Sequence, residues 1–437
     1  MNNRERIRAL VQGKPVDRQP FTFYFGPWPE AIERWKREGL EGDWQEVFGM
    51  DAGIETVQVN LGYLPAFEYK VLEERADTRV IVDRQGVTQL VRKQGASIPH
   101  YLDYPVKSAQ DWTRLKARLD PDSPGRFPEN WPELVKFYNQ TDRAVQLGCY
   151  PYGLFGTPRD MMGVEALLIN FIEESGLIHQ MMDYLTDFWL AIFEKVVRQV
   201  KVDIIHIWED MSGKTGSMIS PRMVREFMLP NYKKISDFAR AHDIAVVAVD
   251  TDGDCGELIP LFMEAGINMM MPFEVQAGCD VNDYQRRYPE LTIMGGFNKQ
   301  ALWKDEAAID AEFERLAPMF RPGVRYICTP DHLIPPGGAV SAVSLFHGAV
   351  GPGNRGAVKK EEKGLMREKI WDAYRQGEGV VRLAPVFVPR RFSQPGYRLK
   401  LHPDDYFALG TRRGAIKERW FSSVIPAMNG EEAAADE

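Results

Sequence analysis

The stretch Asp203-Ile-Ile-His-Ile-Trp-Glu-Asp210 decides the fold, because its pattern recurs along the chain that follows it. Each repeat has a short apolar run, then one or more polar residues, then a segment with helical spacing. Four later runs end at Asp250 and Asp252, at Glu274, at Asn298, and at Asp331 and His332. Strands that alternate with helices form parallel sheets through right-handed crossovers. The sequence therefore predicts an α/β fold of the TIM-like (β/α)8 barrel type, with a polar ring at one mouth.

Length, charge and cysteine usage narrow the class of protein. The chain has 437 residues with 44% hydrophobic content, enough for one barrel of about 250 to 400 residues. A net charge of −8 argues against binding to nucleic acid or anionic membranes, which needs clustered Lys and Arg. The four cysteines form no CxxC pair, so nothing indicates a disulfide framework. Without a secretory h-region or an apolar run of about 18 residues, we expect a cytoplasmic protein with no membrane contact.

N-terminal additions are expected on the predicted barrel. Residues 3–12 have helical spacing and residues 21–25 are a candidate first strand. Residues 79–82 and 87–92 flank a Gly-containing turn, which is typical of a β-hairpin. We expect this hairpin to decorate the barrel and not to form its wall.

The composition changes towards the C-terminal end of the chain. Residues 351–363 are polar and rich in Gly and Lys, as in a linker. The segment after them is richer in Lys and Arg than the rest of the chain, and we find no catalytic motif in it. The expected domains are therefore a barrel over residues 1–350, a linker over 351–363 and a C-terminal extension of unknown role over 364–437.

The residues at the predicted strand ends are the candidates for chemistry. Asp250 and Asp252 stand at alternate positions, so both carboxylates can face one side of an extended chain. They could share a proton, hold a cation or bind a basic group, and they could equally form an ordinary Asp-Gly turn. His332, beside Asp331, suits an acid, a base, a neutral metal ligand or a plain loop histidine.

Further polar residues complete the predicted ring. Lys214 lies in Ser212-Gly-Lys-Thr-Gly216, a loop from which a cation could reach an anionic substrate but which lacks P-loop spacing. His206 lies within a strand, where a local hydrogen bond would explain it. We predict catalytic roles for His332, Asp250 and Asp210. We predict substrate contacts for Glu209, Glu274, Asn298, Lys299, Lys214 and Asp331.

Several short motifs occur in a particular order along the chain. They are Asn3-Arg-Glu-Arg-Ile-Arg-Ala-Leu10, Gly13-Lys-Pro-Val-Asp-Arg18, Asp250-Thr-Asp-Gly253, Gly295-Gly296 with Lys299, and Asp331-His-Leu-Ile-Pro-Pro336. Together they resemble the uroporphyrinogen decarboxylase superfamily over about residues 1–350, which implies a distorted TIM barrel. That superfamily also contains corrinoid-linked methyltransferases, which pass methyl groups to thiols such as coenzyme M.

The resemblance implies a metal site at three positions. Family methyltransferases hold zinc with a His-x-Cys pair after one strand and a cysteine after a later strand. Here Asp250, Asp252 and His332 take those positions. This harder ligand set is compatible with Zn, Mn, Fe or Mg, of which the resemblance favours zinc. A metal held there would act as a Lewis acid or lower the pKa of a bound nucleophile.

The choice of reaction depends on a segment near the N-terminus. The decarboxylases bind substrate carboxylates with an Arg-Gln-Ala-Gly-Arg segment, whereas this chain has Phe23-Tyr-Phe-Gly-Pro-Trp28 there. We therefore expect methyl transfer between small molecules, with a corrinoid or a methylated small molecule as donor, a corrinoid protein as a candidate partner, and a homodimer as a candidate assembly. The alternatives are decarboxylation of uroporphyrinogen without a cofactor and a non-catalytic barrel that binds a small molecule.

Overall fold

Seven parallel strands form a curled sheet in the computed structural model, which describes residues 1–93 and 99–338. The strands follow one another in chain order, and each pairs with the next. We label them β1 to β7, with the bounds Ile54–Thr56, Ala144–Leu147, Ile204–Trp208, Val246–Thr251, Met269–Pro272, Thr292–Met294 and Tyr326–Ile327. The predicted α/β, TIM-like fold is confirmed. The predicted linker at 351–363 and extension at 364–437 lie outside the described residues.

Residues 21–28 link the two edges of this sheet. At one edge, the N–H of Asp51 donates to the backbone oxygen of Phe21 (2.8 Å), just before β1. At the other, the N–H of Trp28 donates to the backbone oxygen of Ile334 (2.9 Å), beyond β7. The predicted strand at 21–25 is not regular, since its backbone bonds to neighbouring segments lie near its two ends. The segment nevertheless occupies the place of an eighth strand.

Helices connect the strands and pack on the outer face of the sheet. One short helix begins at Pro221, and the Ser220 hydroxyl caps it by accepting the N–H of Met223 (3.3 Å). No helix within the described ranges is apolar over enough residues to cross a bilayer. The α-helices are Asn3–Val11, Pro29–Arg37, Trp44–Val47, Ala109–Lys116, Trp131–Gln140, Gly156–Met162, Val164–Glu173, Ser175–Val197, Pro221–Met223, Leu229–Ala241, Ile259–Glu264, Val281–Arg287 and Glu306–Leu316. Shorter turns are a π-helix at Val224–Met228 and 3₁₀ helices at Val275–Ala277, Lys299–Trp303 and Ala317–Phe320.

The alternation of side chains along β4 places the functional end of the barrel. Val247 and Val249 belong to the large core between sheet and helices. Val246 and Ala248 belong to a smaller core inside the barrel. Because side chains alternate along a strand, Asp250 continues the inward series at the carboxyl end of β4. A strand buried on both faces thus ends in an inward carboxylate.

The N-terminal motifs that resemble the superfamily have a structural role here. Helix Asn3–Val11 contributes Ile7, Leu10 and Val11 to the core inside the barrel. Arg6 is 3% exposed, and its Nε donates to Asp17 (2.8 Å). These contacts hold the N-terminal helix against the core inside the barrel.

A separate antiparallel sheet contains the predicted hairpin. Its strands pair in chain order and are Lys70–Glu74, Thr78–Val82, Thr88–Arg92 and His100–Asp103. Asp83 shapes the predicted turn, because its Oδ1 accepts the N–H groups of Gln85 (2.8 Å) and Val87 (2.9 Å). The hairpin prediction is confirmed.

Gly153 allows the loop after β2 to touch β3. A Cβ added there would lie 1.6 Å from the backbone oxygen of Trp208. We expect Gly153→Ala to lower the free energy of unfolding by about 3 kcal/mol, because the loop or the strand must move. Chemical denaturation measures this, with Gly213→Ala as control, since nothing lies within 4 Å of its added Cβ. Equal stability of the two variants would contradict the close approach.

Candidate functional site

The residues that follow the strands meet at the carboxyl end of the sheet. β3 and β4 pair with Asp250 opposite Trp208, and the N–H of Glu209 donates to the backbone oxygen of Asp250 (2.8 Å). The N–H of Asp331, beyond β7, donates to the backbone oxygen of Phe297 (2.8 Å), beyond β6. In parallel barrels this end carries the chemistry. The predicted ring therefore lies at one mouth.

Asp252 and His332 lie within ion-pair distance of each other at this mouth. Oδ2 of Asp252 lies 3.3 Å from Nε2 of His332, and the two side chains are 32% and 27% exposed. The His332 ring stacks on Phe25, with centroids 5.1 Å apart and planes 16° apart. Burial lowers the pKa of His332, but the hydrogen bond and charge of Asp252 outweigh burial and leave that pKa above its ordinary value. The imidazole is therefore ready to accept and keep a proton.

Asp252→Asn is expected to bring the pKa of His332 below its ordinary value of about 6.5, because burial then acts without the carboxylate. The raised pKa means that the pair stabilises the fold below pH about 6.5 and that this contribution is lost as the pH rises through the raised value. NMR titration of the His332 ring measures the shift, and denaturation from acid to alkaline pH measures the stability. Asp254→Asn, in the same loop, serves as control. An unchanged His332 pKa in Asp252→Asn would contradict the pairing.

Asp250 lies in a buried chain with His206 and Tyr24. Nε2 of His206 is 3.4 Å from Oδ2 of Asp250, at ion-pair distance but without hydrogen-bond geometry. Nδ1 of His206 shares a hydrogen bond with the Tyr24 hydroxyl, and the two rings meet edge to face at 4.9 Å. Burial raises the pKa of Asp250, contact with His206 opposes this, and the charge of Asp252 raises the pKa further. The chain links the mouth to the segment at 21–28.

A cavity of about 270 Å³ opens beside Tyr24. Gln146 on β2 is 2% exposed and donates from Nε2 to Oγ1 of Thr56 (2.9 Å). Its Oε1 has no partner among the described residues. Burial raises the pKa of Cys149 to about 11, so this thiol is protonated at neutral pH. The cavity lining consists of Phe23, Tyr24, Gln45, Gly53, Ile54, Thr56, Arg143, Gln146 and Cys149.

The three predicted metal ligands, Asp250, Asp252 and His332, do not form a common ligand set. Within residues 1–93 and 99–338, no three His, Cys, Asp or Glu side chains are grouped so that they could hold a metal ion. Oδ2 of Asp252 faces His332, whereas Oδ2 of Asp250 faces His206. Because these donor atoms already contact protein partners, the side chains do not fit a zinc ion with three protein ligands as they stand.

Elemental analysis tests the zinc binding that the resemblance implied. From the arrangement present we expect no stoichiometric zinc in the purified wild-type protein, even after incubation with excess zinc. Asp250→Ala and His332→Ala are the matched variants. One equivalent in the wild type that is lost in both variants would show that the side chains rearrange around the ion.

Glu209 is fully buried and holds a loop. Its carboxylate accepts the N–H groups of Leu154, Phe155 and Gly156 and the Tyr232 hydroxyl (2.7 Å). Burial raises the pKa of Glu209 to about 7, while these hydrogen bonds act in the opposite direction. A side chain with no exposed surface does not reach a substrate. In place of the predicted substrate contact, Glu209 positions the start of helix Gly156–Met162.

Asp331 ties together loops around the mouth. It is buried, and its two oxygens accept the N–H groups of Val275 (2.9 Å) and Lys299 (2.8 Å). Glu274 is partly exposed, with Oε1 3.2 Å from Nζ of Lys299 and Oε2 accepting the N–H of Gly253 (3.1 Å). In place of the predicted substrate contact, Asp331 holds the loops that carry Glu274 and Lys299. Those two side chains remain open to solvent at the mouth.

Asn298 caps a short helix, and Lys214 lies in an exposed turn. Oδ1 of Asn298 caps helix Lys299–Trp303 by accepting the N–H of Gln300 (3.0 Å). Lys214 is exposed, between the two-residue strands Ser212–Gly213 and Gly216–Ser217. The substrate contacts predicted for these two residues stay predictions.

Asp210 belongs to a second charged cluster. Its φ of 43° lies in the left-handed region, which residues other than glycine seldom adopt. Nη1 of Arg159 donates to Oδ2 of Asp210 (2.6 Å) and to its backbone oxygen (2.8 Å). The Arg159 guanidinium lies over the Trp208 ring, 4.8 Å from its centroid. Asp210 is therefore engaged with Arg159 on the β2–β3 side of the mouth.

Comparison with known proteins places the chain in a family. The family model described as uroporphyrinogen decarboxylase (URO-D) matches residues 2–351. The chain belongs to the uroporphyrinogen decarboxylase family. Among solved structures, a methyltransferase from Methanosarcina mazei is similar at 15% sequence identity with a TM-score of 0.47, over 79% of this chain and 96% of that chain. No curated protein matches the chain at a significant level.

This member of the uroporphyrinogen decarboxylase family has site residues that the sequence reasoning missed. We interpreted His206 as a strand histidine with a local hydrogen bond, and the structure adds its contact with Asp250. A signal was available, since residue 206 pairs with 248 and so shares the inward face that ends at 250. Nothing in the local sequence singled out Tyr24 or Arg159, whose partners are distant along the chain.

Proposed function

We propose that this uroporphyrinogen decarboxylase family member is an enzyme that transfers a methyl group between small molecules at the carboxyl end of its barrel. The observation that carries the proposal is the aromatic lining supplied by residues 23–28. Tyr24 contacts His206 and Phe25 stacks on His332. A substrate with many carboxylates would need guanidinium or ammonium groups there, and this segment has none.

The charges around the mouth support the same choice. Arg159 is paired with Asp210 and Lys299 with Glu274, so neither cation is free of a carboxylate. Asp252 adds a partly exposed negative charge. A mouth in which carboxylates equal or outnumber cations has no net positive charge to attract a polyanion. Methyl transfer between smaller molecules fits this field better than decarboxylation of a tetrapyrrole with many carboxylates.

The Asp252–His332 pair supplies the proton chemistry that methyl transfer needs. An acceptor thiol at the mouth gives its proton to His332, and Asp252 stabilises the imidazolium. The sulfur then forms a bond to the methyl carbon while the bond from that carbon to the donor breaks. The electron pair of the broken bond stays on the donor, whether that is a corrinoid or a methylated small molecule. Phe25 orients the imidazole by stacking on its ring.

The buried chain of Asp250, His206 and Tyr24 holds the strand that carries the pair. Asp250 and Asp252 are two residues apart, so fixing Asp250 fixes the approach of Asp252 to His332. Burial raises the pKa of Tyr24 strongly, and the phenol stays protonated as a hydrogen-bonding group. This part of the site positions the acid–base pair and exchanges no atoms with substrate.

The test is a donor and acceptor assay with purified protein. Methylcobalamin and 2-mercaptoethanesulfonate are mixed with the enzyme, with and without added zinc, and the methyl thioether is measured by mass spectrometry. Parallel reactions contain uroporphyrinogen, with release of CO₂ as the readout. We expect enzyme-dependent thioether and no CO₂. Decarboxylation of uroporphyrinogen would overturn the proposal, and the absence of either product with a set of thiols and methyl donors would leave the binding-only alternative.

A further inference from the structure

A cluster on the β2–β3 side of the mouth contains residues to which the mechanism proposed above gives no role. Helix Gly156–Met162 begins against the Trp208 ring, where a Cβ added to Gly156 would lie 2.5 Å from a ring atom. One turn later, the Arg159 guanidinium lies over the same ring at 4.8 Å. The Tyr150 ring meets Trp208 edge to face, with centroids 4.6 Å apart and planes 80° apart. Tyr150, Trp208 and Arg159 thus form one wall.

Two more tyrosines, Tyr101 and Tyr104, lie near the end of the same helix. Gly163, just past the end of the helix, packs on Tyr104, because an added Cβ would lie 2.6 Å from that ring. The Tyr104 and Tyr101 rings are 6.2 Å apart and tilted by 32°. Burial first, and then charges that include that of Asp160, raise the pKa values of Tyr101, Tyr104 and Tyr150. The Asp160 carboxylate therefore lies near all three tyrosine rings.

Two of the four rings in this cluster are exposed to solvent. Tyr150 is 62% exposed and Tyr101 is 48% exposed, although both are large aromatic side chains. Exposed aromatic rings grouped around a charge are typical of ligand sites more than of packing. The aromatic residues of the cluster are therefore grouped together, and two of their rings stay exposed to solvent.

The carboxylates in the cluster outnumber the cations. Arg159 donates twice to Asp210, at 2.6 and 2.8 Å, whereas its Nε is 3.7 Å from Oδ1 of Asp160. One guanidinium thus faces two carboxylates, and Asp160 has the weaker contact. Burial raises the pKa of Asp160 to about 6, Arg159 lowers it, and the charges of Asp210 and Asp83 raise it. An added cation would relieve this imbalance.

We propose that Tyr101, Tyr104, Tyr150 and Asp160 bind a small organic cation of the methylated ammonium type. Aromatic faces attract such cations, and the carboxylate supplies the opposite charge that a cation without N–H groups needs nearby. The inference rests on the proposed function, because it names a substrate class for that site. As methyl donor, the cation loses its methyl group with the C–N electron pair remaining on nitrogen. The product forms as a neutral amine with one methyl group fewer, and it takes up a proton when it reaches water.

Calorimetric titration with tetramethylammonium chloride, at constant total salt, tests the proposal without any turnover. tert-Butanol, of similar shape and no charge, is the matched neutral probe. We expect saturable binding of the cation and at least about tenfold weaker binding of the alcohol. Asp160→Asn should weaken cation binding about tenfold, and Tyr150→Leu about fivefold. Tyr150→Phe keeps the ring face and should stay within about twofold of wild type.

Asp187→Asn, an exposed position on helix Ser175–Val197, is the charge-matched control. Melting temperatures show whether each variant is folded. Selective cation binding that is lost in Asp160→Asn and Tyr150→Leu supports the proposal. Absence of saturable binding in the wild type, equal affinity for tert-butanol, or wild-type affinity in folded Asp160→Asn overturns it. Because the readout is binding, a failed methyl-transfer assay would count against the proposed function alone.

Discussion

His332→Ala is expected to reduce methyl transfer by a factor of about 10² to 10⁴, the range for loss of a general acid–base group. The variant removes the imidazole that takes the acceptor proton in the proposed mechanism, and it leaves Asp252 without its partner at 3.3 Å. Initial rates with methylcobalamin and a thiol measure the loss. The effect should fall mainly on kcat and shrink towards alkaline pH, where the acceptor thiol ionises without help.

His242→Ala is the matched control, since this histidine pairs with Glu194 and precedes β4, at the far end of the strand. Its loss removes only a partly exposed ion pair, worth about 0 to 1 kcal/mol. Wild-type rates in folded His332→Ala would remove this residue from the mechanism. A loss in His332→Ala that does not depend on pH would assign it a binding role in place of proton transfer.

Glu209→Ala is expected to lower the free energy of unfolding by about 4 kcal/mol or to prevent folding. The substitution removes the hydrogen-bond acceptor of three backbone N–H groups and of the Tyr232 hydroxyl at a fully buried position. Each buried donor left without an acceptor costs about 1 to 3 kcal/mol, and part of this cost is recovered as the loop relaxes. Urea denaturation measures the change.

Glu226→Ala serves as control for the same substitution at an exposed position and should stay within about 0.5 kcal/mol of wild type. A folded Glu209→Ala protein with wild-type stability and no activity would restore the role in substrate binding that we predicted from the sequence. Reduced stability with activity in proportion to the folded fraction would support the structural role.

The fold was largely accessible from the sequence, because β3 to β7 each combine an apolar run with a polar end. Burial on both faces requires the apolar run, and the barrel mouth tolerates the polar end. The segment at 21–25 differs from the predicted strand, because its aromatic residues make ring contacts more than a regular ladder of hydrogen bonds. Local composition does not separate these two uses of apolar residues.

Only part of the candidate site could be predicted from the sequence. Asp252 and His332 were expected to meet from their strand-end positions and do so. Glu209 and Asp210 look alike in sequence, yet one is fully buried and the other pairs with Arg159 at the mouth. Their difference depends on a loop more than fifty residues earlier, at 154–156. Such roles are set by packing between distant segments, which periodicity does not report.

The linking segment at 21–28 has a consequence for how the protein folds during synthesis. Tyr24 is hydrogen-bonded to His206, which lies 182 residues later in the chain, and the N–H of Trp28 donates to a residue beyond β7. Contacts between distant segments form late, because chain closure must come first. During synthesis the segment leaves the ribosome early and waits for nearly the whole barrel before its partners exist. A nascent chain can thus pair most of its strands before residues 21–28 bind their partners, and the candidate site is complete only after residue 334 has left the ribosome.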